Sequence, residues 1–268
     1  MDEPRARPSP FDRSEEIGAR LAGRRLAAFL DYDGTLTPIV ARPELALLPA
    51  ESRRALTRLA SVATVAIVSG RALEDVRSLV GLDGLYYAGN HGLEIRGPGD
   101  TTLSYEGGDE FLPALKEAAS RLAATVPAVA GSWVEDKTRS LSVHYRQVAD
   151  EDVSALESAV DAALRDFPIL RKHHGKRVFE VRPRIDWDKG RAVLWLLEVL
   201  GLSGPETLPL FFGDDVTDED AFRALAGRGL GVRVADDAQP TWADYTLRDT
   251  SEVPRLLEML TNAMEVGR

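Results

Sequence analysis

The chain contains no cysteine. That absence excludes disulfide scaffolds, thiolate zinc sites and any mechanism built on a cysteine nucleophile, and it agrees with a reducing, cytoplasmic setting. Long hydrophobic runs are missing too. No apolar stretch approaches the ~18 to 20 residues of a membrane span, and the opening MDEPRARPSP has acids and prolines where a secretory leader has its apolar region. The expectation is a soluble cytoplasmic protein with no membrane partner. Positive charge is in deficit: Lys plus Arg number 33 against 43 for Asp plus Glu, a formal net charge of −10 with no basic run. That balance argues against a nucleic-acid partner. There is no GxxxxGK[ST] phosphate loop and no GxSxG elbow, and the Gly227, Gly229, Gly231 series precedes a strand-like segment instead of following one. No internal repeat or low-complexity tract occurs.

The 268 residues, 44% hydrophobic and 28% charged, have the composition of an ordinary globular protein and can form one large domain or two modest ones. Two compact units are expected. Residues 1–10 read as a loose tail and 14–23 as a helix, followed by an apolar strand over 26–30 that stops at Asp31, Asp33 and Gly34. The same rhythm follows in a helix over 51–59, a strand over 63–68, a break at Ser69-Gly70-Arg71, and a helix stopped by Gly81. It returns near the end, with a helix over 192–200, a strand over 208–212, and a helix for which Thr217 is the expected N-cap. Short strands over 231–234 and 245–247 precede a closing helix that Ser251 is expected to cap. This order implies an α/β fold with a doubly wound, mostly parallel sheet. The middle reads differently, as helix 108–126, one or two strands in 133–146, helix 153–167, and two short strands in 170–181. That α-β-β-α-β-β order fits an inserted α+β domain at 107–183 within a core of 1–106 and 184–268.

The strongest chemical signal is Asp31-Tyr32-Asp33-Gly34-Thr35, directly after an apolar strand. In an open parallel sheet, ligands sit beyond the carboxyl ends of the strands, and alternation at period two sends Asp31 and Asp33 to one side. Two close carboxylates repel, and a hard cation such as Mg²⁺ relieves that cost. One carboxylate could attack phosphorus while the other handles protons. Read alone, the same residues also suit a solvated turn. A second acidic cluster, Gly213-Asp214-Asp215-Val216-Thr217-Asp218, follows another apolar strand; read alone, it suits an acidic helix start. Ser69 with Gly70 offers a hydroxyl and an amide, and Lys189 offers a positive charge at a helix start. His91 lies in the Asn90-His91-Gly92 turn near the expected cleft, whereas His144, His173 and His174 lack metal-site spacing and read as structural or surface residues.

In this order, Asp31-x-Asp33, Ser69, Lys189 and Gly213-Asp214-Asp215-x-x-Asp218 resemble the haloacid dehalogenase (HAD) superfamily of phosphotransferases. The resemblance implies a Rossmann-like catalytic core with an inserted cap, Asp31 as a nucleophile forming an aspartyl-phosphate, and Asp33 as acid and then base. It places Mg²⁺ on Asp31, the Asp33 carbonyl and Asp214, with Asp215 or Asp218 as outer supports, and adds Ser69 and Lys189 to the catalytic set. Within the superfamily, Val68-Ser69-Gly70-Arg71, Gly89-Asn90-His91-Gly92-Leu93-Glu94, Val134-Glu135-Asp136-Lys137 and Glu180-Val181-Arg182-Pro183 resemble the trehalose-6-phosphate phosphatase family. That resemblance implies hydrolysis of trehalose 6-phosphate, a small-molecule partner, with substrate contacts from Arg71, Asn90, His91, Glu135, Lys137 and Glu180; a monomer is the simplest expectation. Alternatives are a sucrose- or glycosyl-phosphate phosphatase, a phosphohexomutase, and a silent sugar-phosphate-binding regulator.

Overall fold

A computed structural model describes residues 7–103, 108–237 and 239–266. The chain divides into two compact units, Met1–Ser104 with Trp187–Arg268, and Tyr105–Asp186. The boundary expected at 106/107 lies outside the described residues. At the other end, the second unit runs on past 183 to Asp186, and the Arg184 N–H donates to the Ile169 carbonyl (2.8 Å).

The first unit opens with helix α1 (Ser14–Leu21), strand β1 (Arg25–Leu30), helix α2 (Ala50–Ala60), strand β2 (Thr64–Val68), helix α3 (Leu73–Val80) and strands β3 (Tyr86–Gly89), β4 (Glu94–Arg96) and β5 (Thr102–Leu103). The second unit follows, with α4 (Leu112–Thr125), β6 (Trp133–Asp136), β7 (Leu141–His144), α5 (Val153–Leu164), β8 (Leu170–Gly175) and β9 (Val178–Pro183). The first unit is completed by α6 (Lys189–Val199), β10 (Thr207–Gly213), α7 (Glu219–Leu225), β11 (Leu230–Val234), β12 (Tyr245–Leu247) and α8 (Glu252–Val266).

The first unit's sheet has the order β12-β11-β10-β1-β2-β3-β4-β5, parallel from β12 to β3 and antiparallel at β4 and β5. The continuous apolar run of β1 follows from burial on both faces. Leu26, Ala28 and Leu30 join one cluster, with Leu56 and Leu59 of α2 and Leu256, Leu257 and Leu260 of α8. The alternate residues Ala27 and Phe29 join the other, with Val193, Leu196 and Leu197 of α6 and Phe222 of α7. Each helix buries a stripe at a spacing of three and four residues, as an amphipathic helix on a sheet must. The second unit is a four-stranded antiparallel sheet, β6-β7-β9-β8. Leu141, Val143, Phe179 and Val181 face a core with Leu115 and Leu122 of α4 and Leu156 and Val160 of α5. No helix among the described residues is long and apolar enough to cross a membrane.

Two local expectations are corrected. Of the expected tail, residues 1–6 lie outside the described residues, but 7–10 are docked. The Pro8 carbonyl accepts the Thr246 N–H (3.1 Å), Arg7 Nη2 donates to the Thr241 carbonyl (2.9 Å), and Ser9 caps a short 3-10 turn. The physical reason is the open edge of β12, whose ladder groups otherwise lack a strand partner. Ser251 does not cap α8 with its hydroxyl, which donates to Asp249 Oδ1 (2.5 Å). The Asp249 carboxylate, two residues back, also takes the Ser251 N–H (2.8 Å).

Candidate active site

β1 pairs with β2 on one side and β10 on the other, all parallel, so the chain reverses its winding direction at β1. Such a switch point opens a crevice at the carboxyl ends of the strands. The Asp31 N–H donates to the Phe212 carbonyl (2.9 Å), which keeps the two strand ends level. Asp31 and Asp214, each one residue beyond its strand, are thereby brought to one edge of the sheet.

Lys189 Nζ donates to Asp31 Oδ1 and to Asp218 Oδ1, both at 2.7 Å, and all three residues are buried. The Asp188 side chain caps α6 by accepting the Arg191 N–H (2.8 Å), which fixes Lys189 at the first position of that helix. Asp218 Oδ2 accepts the Asp214 and Asp215 N–H groups, each at 2.9 Å. Carboxylate oxygens of Asp31, Asp214 and Asp218 all lie within 4.8 Å of one another. Burial pushes the Asp31 carboxyl well above the usual carboxylate range; Lys189 opposes that shift, and Asp218 and Asp214 add to it. Burial works against the Lys189 ammonium, but Asp218 and Asp31 outweigh it and hold the charge on.

Thr217 is not the N-cap it was expected to be. Asp215 caps the short 3-10 turn Val216–Asp218 in a reciprocal capping box with Asp218, and α7 starts directly behind it. A carboxylate three residues before a second carboxylate outcompetes the threonine hydroxyl for these amides.

Directly beyond Asp31 the chain enters a turn, in which Asp33 forms an isolated parallel bridge with Thr37. The Tyr32 carbonyl accepts the N–H groups of Leu36 (2.9 Å) and Thr37 (3.1 Å), closing a tight turn. The two carboxylates have different partners. Asp33, half-buried, receives two bonds from Arg71, Nε to Oδ2 (2.7 Å) and Nη2 to Oδ1 (2.8 Å). Arg71 also donates to Asp75 Oδ2 (2.7 Å) and to the Pro43 carbonyl (2.8 Å). Tyr32 anchors the turn by donating its hydroxyl to the Ala46 carbonyl (2.6 Å), and burial pushes its phenol up to about 12.

Gly34 has a φ of +85°, and a Cβ there would lie 2.1 Å from Asp214 Oδ2. Only glycine lets the turn after β1 approach the carboxylate after β10 this closely.

Ser69 is buried at the end of β2, its hydroxyl accepting the Arg71 N–H (3.2 Å). The loop after β3 is tied to it: the His91 N–H donates to the Ser69 carbonyl (2.9 Å) and the Asn90 N–H to the Arg71 carbonyl (2.7 Å). Asn90 and His91 adopt left-handed φ values of 49° and 57°. Such strain costs on the order of 1–3 kcal/mol per residue and persists only where the surroundings enforce it. Asn90 and His91 are buried, and the Asn90 side-chain amide donates to Glu94 Oε2 (2.7 Å).

In the second unit, register places Glu135, Ser142, Glu180 and His173 in one row across the sheet. Lys137 Nζ lies 3.8 Å from Glu180 Oε1 and 4.0 Å from Glu135 Oε2. The three expected substrate residues of this unit are thus brought together. His144 joins them through Nε2, 2.8 Å from Glu135 Oε2, and stacks on Trp133 with centroids 4.0 Å apart. Arg182 pairs with Glu180. His173 is pushed to lower pKa by burial and by Arg182 and Arg171.

Sequence reasoning missed Tyr32, Asp75, Asp188 and His144. Asp75 had one available signal, its i,i+4 spacing from Arg71 at a helix start.

A trehalose-phosphatase family model matches residues 29–251. A probable trehalose-phosphate phosphatase 2 of rice (Oryza sativa subsp. japonica) is 41% identical over 281 residues, covering 96% of this chain and 74% of the rice protein. The C-terminal domain of Candida albicans trehalose-6-phosphate phosphatase superposes with a TM-score of 0.80 at 23% identity, covering 96% of this chain and 98% of that domain. A haloacid dehalogenase-like hydrolase of Bacteroides thetaiotaomicron superposes with a TM-score of 0.64 at 17% identity, covering 88% of this chain and 100% of the other. At these identities, the two structures establish the HAD-like α/β fold. With a family model matched from the end of β1 almost to α8, and a relative 41% identical over nearly the whole length, the chain belongs to the trehalose-phosphatase family.

Proposed function

We propose that the protein is a Mg²⁺-dependent phosphatase that hydrolyses trehalose 6-phosphate through an aspartyl-phosphate on Asp31. The observation that carries this reading is the buried cluster of Asp31, Asp214 and Asp218 around one ammonium, Lys189, at the carboxyl end of the central strand. Three close carboxylates against one cation leave negative charge that a hard divalent ion neutralises. Gly34 supports the fit, since its missing side chain leaves room for the Asp214 carboxylate beside the Asp33–Gly34 backbone. Asp31, Asp214 and the Asp33 carbonyl would hold Mg²⁺, with Asp218 and Asp215 orienting the Asp214 segment from behind. When bound, the ion balances the charge of the phosphoryl oxygens and of the two carboxylates.

An Asp31 carboxylate oxygen forms a bond to phosphorus as the bond from phosphorus to the sugar O6 breaks, and Asp33 gives its proton to that oxygen. Asp33 then takes a proton from water, whose oxygen attacks phosphorus. Inorganic phosphate leaves and Asp31 is restored. Lys189 holds the Asp31 side chain in place, and the Ser69 hydroxyl and backbone amides at the ends of β2 and β3 hold phosphoryl oxygens. In the second unit, Glu135, Lys137 and Glu180 read the sugar hydroxyls through charge-assisted hydrogen bonds, with His144 holding Glu135. The cysteine-free composition suits work in the cytoplasm.

Phosphate release from trehalose 6-phosphate, measured beside sucrose 6-phosphate and hexose phosphates, tests this function. Trehalose 6-phosphate is expected to be turned over fastest, and chelation of divalent ions is expected to stop the reaction. Asp214→Asn removes one anionic hard ligand and is expected to weaken Mg²⁺ binding on the order of 10- to 100-fold by calorimetric titration. Chelator-resistant turnover, or unchanged Mg²⁺ affinity in the variant, contradicts the metal assignment.

The second-unit residues have their own test. Alanine at Glu135, Lys137 or Glu180 is expected to lower kcat/KM for trehalose 6-phosphate by about 1.5–3 kcal/mol, roughly ten- to 160-fold, while a small aryl phosphate barely changes. A solvated polar surface predicts no loss on either substrate, and general misfolding predicts equal loss on both.

A further inference from the structure

We infer that Asp75 is a positioning residue for the proton-transfer step: through the guanidinium of Arg71, it fixes the carboxylate of Asp33. The inference rests on the reading of Asp33 as acid and base given above.

Asp33 sits on a tight turn, and its side chain is 39% exposed, so the turn alone does not define where its oxygens point. Its direction is set by Arg71, whose planar fork takes both oxygens at 2.7 and 2.8 Å. Arg71 is long and rich in rotamers, and it aims well only if its own far end is held. Three things hold it. The Pro43 carbonyl accepts from Nη2 (2.8 Å), the ring of Tyr32 lies 5.3 Å below the guanidinium carbon, and Asp75 Oδ2 accepts from Nη1 (2.7 Å). Of these, only Asp75 carries charge.

Asp75 stands on a firm base in the first turn of α3. The start of that helix is packed against β3 so closely that a Cβ on Gly89 would lie 2.5 Å from the Leu73 backbone. The chain Asp75, Arg71, Asp33 thus runs from a helix end packed on β3 to a half-exposed carboxylate. Without the Asp75 charge, Asp33 is the one carboxylate among the described residues left on the buried guanidinium. The fork then turns toward its remaining acceptors, and Asp33 turns with it. A misplacement of about 1 Å at a reacting group is enough for a large loss of rate.

The test compares wild type with Asp75→Asn, Asp75→Glu, Arg71→Lys, Asp33→Asn and the Asp33→Asn/Asp75→Asn double variant, each in single turnover on trehalose 6-phosphate and on 4-nitrophenyl phosphate. Nitrophenolate leaves without a proton, whereas trehalose does not. Asp75→Asn is expected to slow trehalose formation about tenfold, or about 1.4 kcal/mol. KM should stay within about twofold, and the nitrophenolate burst should barely change. Asp75→Glu is expected to recover part of the loss. Arg71→Lys keeps the charge but not the fork, and should show the same leaving-group signature without touching Asp75. In the Asp33→Asn background, Asp75→Asn is expected to add no further loss, because its effect passes through Asp33.

Equal slowing of both substrates, a full additional loss in the double variant, or unchanged trehalose formation in Asp75→Asn overturns the inference. If wild type turns over a different sugar phosphate and ignores trehalose 6-phosphate, the substrate reading fails instead, and the same comparison on the accepted sugar phosphate decides the role of Asp75.

Discussion

Asp31→Asn is expected to lower phosphate release on the order of 10⁴-fold or more while leaving a folded protein. The amide has nearly the volume of the carboxylate but is a very poor nucleophile, so no aspartyl-phosphate forms. The fold is expected to survive because the ammonium of Lys189 keeps Asp218 as its counter-ion at 2.7 Å. The side-chain carbonyl of asparagine can also still accept the other Lys189 bond. Burial and the charges of Asp218 and Asp214 all disfavour an ionised Asp31, so the neutral variant loses repulsion along with the ion pair. Its melting temperature, followed by circular dichroism, is expected to stay near that of wild type. Acid quenching during turnover of labelled substrate adds a direct readout: label should remain on wild-type protein and be absent from the variant. Turnover near the wild-type rate would remove Asp31 from the mechanism, and persistent labelling would move the phosphoryl group elsewhere.

Asp33→Asn is expected to reduce trehalose 6-phosphate hydrolysis by about 10²- to 10⁴-fold, the usual weight of a general acid or base. The size of the loss should depend on the leaving group. A sugar alkoxide needs a proton as the phosphorus–oxygen bond breaks, whereas an aryl oxide hardly does, so the first step on an activated aryl phosphate is expected to survive. The second step still needs Asp33 to take a proton from water. The variant should therefore give a burst of aryl alcohol and then stall as phosphoenzyme. A uniform loss without a burst assigns Asp33 to holding the turn instead. That contrast is sharp here because Asp33 also bridges to Arg71, and a purely structural role would show first as a lowered melting temperature.

Much of this site was legible because strand burial and turn chemistry are local. Five apolar residues ending in Asp31 describe a strand buried on both faces that stops at the sheet edge, and β1 does so. The second acidic cluster was equally visible after β10. Distance along the chain hid the rest. Arg71 displays donors that suit any anion, and only folding reveals that Asp33, 38 residues away, supplies one of its partners. Thr217 was a reasonable cap by type, but Asp215 and Asp218, spaced to bond each other's amides, take that role. Strands β4 and β5, three and two residues long, carry too little period to be read. The docking of Pro8 on β12 depends on which strand lies at the edge, which no local pattern states.

The discontinuous first unit sets the order in which the protein can be completed during synthesis. β1 is made early, but its neighbour β10 emerges only after the whole of the second unit, so one edge of the central strand stays bare for most of translation. Contacts between such distant segments close late and slowly. Asp31 belongs to the early segment, whereas Lys189 and Asp218 belong to the late one. The counter-ion of Asp31, Lys189, is thus made only with α6, and Asp218, which shares that ammonium, only after β10; a nascent or truncated chain ending before β10 has the early motifs but neither Asp214 nor Asp218.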